Sequence, residues 1–172
     1  SFGEIKKMYF IGIFANNLEY EIIKRHVKKM VKRKDLEIIN INSRNITNMK
    51  NIVFETIVLT CELNLTEEKQ EILNKICSNC KYVIINADID INIKFKSKNL
   101  INYITYGVNP KSTITISSIQ DEKAIIYVQR NIKNIDEKEI EMGEVSIDLQ
   151  DYKHKEIEIL LAIASIYLIY MP

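Results

Sequence analysis

The sequence predicts an α/β protein, with a mostly parallel sheet flanked by helices and an antiparallel β-hairpin extension. Three observations carry this reading. Short apolar runs alternate with helix-spaced segments from Met8 to Ala87, which implies parallel strands joined by helical crossovers. After Gly107 two β-rich segments follow each other with only a short polar turn between them, which is the pattern of a hairpin. The chain then closes on a segment that is apolar on nearly every side, as suits a buried helix.

The elements follow in order. Met8-Tyr9-Phe10-Ile11-Gly12-Ile13-Phe14 is an apolar run bounded by polar residues, the pattern of a strand buried on both faces. From Asn17 to Lys34 apolar residues fall at Leu18, Ile22, Ile23, Val27, Met30 and Val31, which is helical spacing, with Asn16 or Asn17 available as the cap. Leu36 to Ile41 and Ile52 to Thr60 read as strands. Thr66 to Ser78 reads as a helix, capped by Thr66 and carrying Glu67 and Glu68 in its first turn. Tyr82 to Ala87 is a further strand. Thr113 to Ile119 and Ala124 to Arg130 form the hairpin around Gln120-Asp121-Glu122-Lys123, Val145 to Leu149 is a short strand, and Tyr152 to Tyr170 is the final helix.

At 172 residues the expectation is one domain spanning residues 1–172, with no linker to divide it, since there are only four glycines and two prolines. A net charge of +1 argues against a polyanion binder, so nucleic acid is not the expected partner. The richness in Ile, Asn and Lys fits an AT-rich bacterial genome. No leader of the secretory type opens the chain, and the longest apolar run, Ile159 to Met171, is shorter than the ~20 residues of a membrane span. A cytoplasmic location and no transmembrane segment are therefore expected. The same run is more apolar than one buried face requires, so it is also expected to offer a surface to a second copy or a protein partner.

Cys77-Ser78-Asn79-Cys80 has Cys-x-x-Cys spacing, but it closes a helix rather than opening one and no second pair completes a zinc site. Buried, inert thiols are the expectation. Lys24, Arg25, Lys28, Lys29, Lys32, Arg33 and Lys34 make the first helix basic, which reads as a solvated face, although nucleic acid, anionic lipid or an acidic partner could use it. Asp136, Glu137, Glu139, Glu141 and Glu144 form an acidic stretch able to oppose it, within the molecule or in a neighbouring copy.

One stretch points to a family. A strand ends in Asn86-Ala87-Asp88, then come Ile104-Thr105-Tyr106-Gly107 and the alternating Ser112-Thr113-Ile114-Thr115-Ile116-Ser117-Ser118-Ile119. This order resembles the central, ATP-binding domain of the Mur ligases, which join amino acids to peptidoglycan precursors. The resemblance implies a P-loop-NTPase-like sheet whose first strand runs into a phosphate loop of the form Gly-x-x-Gly-x-x-Gly-Lys-Thr-Thr. The similar stretch here, from Gly12 through Asn16 and Asn17 to Glu21, keeps only Gly12. Glu19 stands where the lysine would be, and a carboxylate about 4 Å from a phosphate charge is repelled by about 4 kcal/mol at an effective dielectric near 20. Tyr20 and Glu21 replace the hydroxyls that would hold magnesium. Thr60 matches the family's Thr-Asn, but Cys61 replaces the asparagine and no histidine follows. His154-Lys155-Glu156-Ile157-Glu158 resembles the adenine-side motif His-Asn-x-x-Asn with both asparagines gone.

The expectation is thus a degenerate Mur-ligase-like domain, a pseudoenzyme with no catalytic residues, metal or cofactor, serving as a binding or scaffolding unit in cell-envelope or sporulation processes. The alternative is a nucleotide binder of the ATP-dependent ligase type, using ATP and Mg. Its site candidates are Gly12, Asn16, Asn17, Asn86, Asp88, Lys111 and His154, with a partner supplying the missing groups. Asn86 and Asp88 are also ordinary turn residues, and capping the next turn is their expected role.

Overall fold

The computed structural model describes residues 7–91, 93, 100–149, 152–153 and 156–172. Strand β1 (Tyr9–Phe14) leads into helix α1 (Asn17–Val31), followed by β2 (Leu36–Ile41) and a 3-10 turn at Ile46–Met49. Next come β3 (Thr56–Leu59), α2 (Glu67–Ser78), β4 (Tyr82–Asn86) and β5 (Asn102–Tyr106). The hairpin is β6 (Ile114–Gln120) and β7 (Lys123–Val128), followed by β8 (Ile132–Lys133), β9 (Glu139–Ile140), β10 (Gly143–Asp148) and α3 (Ile157–Tyr170).

Eight strands form one sheet in the order β10-β7-β6-β5-β4-β3-β1-β2. The pairs from β2 to β6 are parallel, and β7 pairs antiparallel with both β6 and β10. From β1 the chain steps outward to β2, then returns to lay β3 on the other side of β1. This reversal between β1 and β3 is a topological switch point, outside whose carboxyl ends open α/β sheets commonly bind ligands.

The sheet has an apolar cluster on each face. On one, Ile22, Ile23 and Val27 of α1 pack with Leu160, Ile163 and Ile166 of α3. On the other, Leu73, Ile76 and Cys77 of α2 pack with Phe54, Ile57 and Leu59. The last helix is covered within the chain itself: every residue from Ile159 to Tyr170 is buried except Tyr167, which is half-buried. Its apolar surplus therefore fills the core and leaves little face for a second copy or a protein partner.

Several boundaries differ from the sequence reading. The first helix stops at Val31 rather than Lys34 because Lys32 turns into the left-handed region at φ 54°. β3 is shorter than Ile52 to Thr60, since its ladder to β1 begins at Ile11 opposite Thr56 and Val53 points outward. The last helix begins at Ile157 rather than Tyr152, whose N–H closes a turn onto the Leu149 carbonyl at 2.7 Å. The sequence pattern predicts no strand at β5 or at the β8–β9 ribbon, which the structure adds.

β5 and β6 are parallel neighbours with no helical crossover between them. They pair only at Tyr106 and Ile114, the last residue of one and the first of the other. The rest of β6 therefore overhangs the carboxyl edge of the parallel sheet by roughly 20 Å. At the opposite edge, the ribbon is tied down by Arg33 to Asp136 at 3.1 Å and Lys81 to Glu137 at 2.7 Å. The acidic stretch thus meets the basic helix end inside the molecule, at least through Asp136.

Candidate functional site

The carboxyl ends of β1, β3, β4 and β5 carry short polar side chains, and these bind one another. The Thr60 hydroxyl donates to the Phe14 carbonyl at 2.9 Å, joining β3 to β1. Buried Asn86 donates its amide to the Thr60 carbonyl at 3.1 Å and accepts the Asp88 N–H at 3.0 Å, joining β4 to β3. The Asp88 carboxylate then accepts the N–H groups of Val108 at 2.8 Å and Asn109 at 3.1 Å, clamping the loop that follows β5. Asn109 in turn accepts the Lys111 N–H at 2.9 Å. A run of hydrogen bonds crosses four strand ends.

The structure places the sequence candidates unevenly. Asn16, Asn17, Asn86, Asp88 and Lys111 all lie on the carboxyl-terminal side of the sheet. Gly12 does not: it sits within β1, paired with Ile39 and Ile57, where a β-carbon would come within 2.5 Å of the Ile41 side chain and 2.6 Å of that of Ile57. It is a glycine because three large side chains close over it. His154 lies outside the described residues.

Only Ala15 and Asn16 separate β1 from α1, and Asn16 is engaged as the helix cap, accepting the Glu19 N–H at 2.9 Å. Asn16 and Glu19 are spaced as in a capping box, in which cap and third residue satisfy each other. Two residues without a glycine cannot curl several N–H groups around one anion, which is what a phosphate loop must do.

Glu19 and Glu158, the residues standing where the resemblance expects a lysine and an adenine-side asparagine, face each other. Both line a cavity of about 10 Å³ with Ile23, Thr60, Tyr106, Ile159 and Ala162, at the mouth of the switch point. That is room for about one water molecule. Burial raises the Glu19 carboxyl above its ordinary range, the Asn16 bond opposes this, and the charges of Glu158 and Glu156 raise it further. The sequence showed each substitution but not their juxtaposition, since the two belong to helices at opposite ends of the chain.

The phosphates of a nucleoside triphosphate need space, donors and positive charge. The residues present supply a filled crevice and carboxylates, and they do not fit the phosphates of ATP. Among the described residues no group of three or more His, Cys, Asp or Glu side chains could hold a metal ion. None of the described helices is long and apolar enough to cross a membrane. Cys77 and Cys80 are buried free thiols, held protonated by their burial, with Cys80 pushed up to about 12.

The fold defines an α/β protein with a mostly parallel sheet, a switch point and an antiparallel extension. Compared with known proteins, the chain matches no family model and no curated protein sequence.

Proposed function

We propose that this chain is a non-catalytic binding or scaffolding domain that keeps the framework of a Mur ligase central domain without its nucleotide chemistry. The supporting likeness is the run from Asn86 through Ile119, together with a strand order that places Asn86 and Asp88 at the carboxyl edge. The observation that carries the loss of chemistry is the filled, two-carboxylate mouth at Glu19 and Glu158. A phosphate entering there would displace packed side chains and meet like charge. Asn86 and Asp88 serve the fold instead, as the cross-strand bonds and loop clamp they make support. A peptidoglycan or sporulation setting belongs to the same proposal and rests on the resemblance alone.

Thermal melting with Mg-ATP and with a UDP-linked peptidoglycan precursor tests it. A ligand at a hundred times its dissociation constant adds about 2.7 kcal/mol, which moves the midpoint by several degrees. No shift is expected with Mg-ATP. A saturable rise of several degrees would overturn the reading.

A further inference from the structure

We infer that the carboxyl-terminal half of α1 and the slot beside it form a docking surface for a protein partner that presents an acidic segment with one apolar anchor side chain. Two observations converge here. Arg25, Lys28 and Lys29 recur at helical spacing along the outer side of α1, all exposed, and exposed Lys32 and Lys34 follow just past its end. Immediately beside them lies a cavity of about 350 Å³, bounded by His26, Lys29 and Met30 of α1, Lys32 just past its end, Asp148 and Leu149 at the end of β10, and Tyr167 of α3. Lys29 and Lys32 belong to both features. The cations share the slot with the apolar side chains of Met30 and Leu149 and with Tyr167.

The chemistry selects among polyanions. A duplex backbone presents phosphates and sugars along the stripe and no apolar side chain to fill the slot beside it. A lipid surface needs exposed apolar residues on the docking helix to insert, but none of the exposed large hydrophobic residues lies on this half of α1. A peptide uses both parts, with carboxylates on the stripe and one side chain in the slot. The molecule already makes such a contact at the stripe's end, where Arg33 binds the Asp136 carboxylate from its own acidic stretch. The surface lies at the other end of α1 from Asn16, about 20 Å away, so it stands whether or not the strand ends bind a nucleotide.

The test is fluorescence anisotropy with a short fluorescein-labelled peptide carrying one phenylalanine between runs of glutamate. Saturable binding is expected, weakening with added salt. Replacing the phenylalanine by alanine is expected to weaken it by about tenfold or more. The exposed double variant Lys28→Glu/Lys32→Glu is expected to do the same, with an unchanged melting temperature. Lack of saturable binding, indifference to either change, or equal competition by phosphatidylglycerol vesicles or duplex DNA would overturn the inference.

Discussion

The Asp88 carboxylate lies directly over the α-carbon of Gly107, where a β-carbon would come within 2.6 Å of Oδ1 and 2.7 Å of Oδ2. The same carboxylate accepts the next two backbone N–H groups, at Val108 and Asn109. Glycine is required by this close approach, which lets β4 hold the loop leading to β6. A pair that could have been read as ligand-binding chemistry is the joint between the parallel sheet and its overhang.

Gly107→Ala is therefore expected to destabilise the protein by about 1–3 kcal/mol in urea unfolding, through overpacking against Asp88. Asp88→Ala should cost about 1 kcal/mol or more through its lost hydrogen bonds. In the double variant the new methyl has room, so the combined cost should fall clearly below the sum. Additivity within about 0.5 kcal/mol would mean that the two residues do not meet.

Glu19→Gln should stabilise the protein at neutral pH. The folded state raises the Glu19 carboxyl above its unfolded value, chiefly by burial and further through Glu158 and Glu156. The native state thus holds that proton more tightly, so the favourable contribution is complete below the unfolded value, near pH 4, and is lost as pH rises through the folded value. A gain of order two degrees at pH 7 should shrink towards zero below about pH 4. A destabilised variant at pH 7 would show that the carboxylate is held there by favourable contacts.

Much of the fold was legible because it is local. Asn16 and Thr66 announce the starts of α1 and α2 through their caps, and both side chains make the expected bonds, to Glu19 and Lys69. The run Leu36 to Ile41 matches β2 residue for residue. What escaped was tertiary. Asn102 and Tyr103 are exposed and hide the strand character of β5, which is fixed only by pairing with β4. Nothing local joins Glu19 to Glu158, or Asp88 to Gly107; both pairs arise when the sheet brings distant ends together. Gly12 resembles a loop glycine in sequence and is a packing glycine because β2 and β3 flank it.

Thiol labelling gives a separate check of the core. Cys77 and Cys80 are buried with their pKa values raised, and half-buried Cys61 is raised by its burial to a lesser degree. In the native protein a disulfide reagent should label Cys61 first, and Cys77 and Cys80 only at the rate of unfolding. Rapid labelling of the Cys77–Cys80 pair would contradict the packing of α2 against the sheet.

The central claim is that the strand ends are occupied by their own hydrogen bonds and packing. The most direct measurement is a two-dimensional amide NMR spectrum titrated with Mg-ATP to millimolar concentration. The account predicts that the amides of Ala15, Asn16, Asn17, Asp88, Val108 and Asn109 stay unmoved. Saturable shifts clustered on those residues would contradict it.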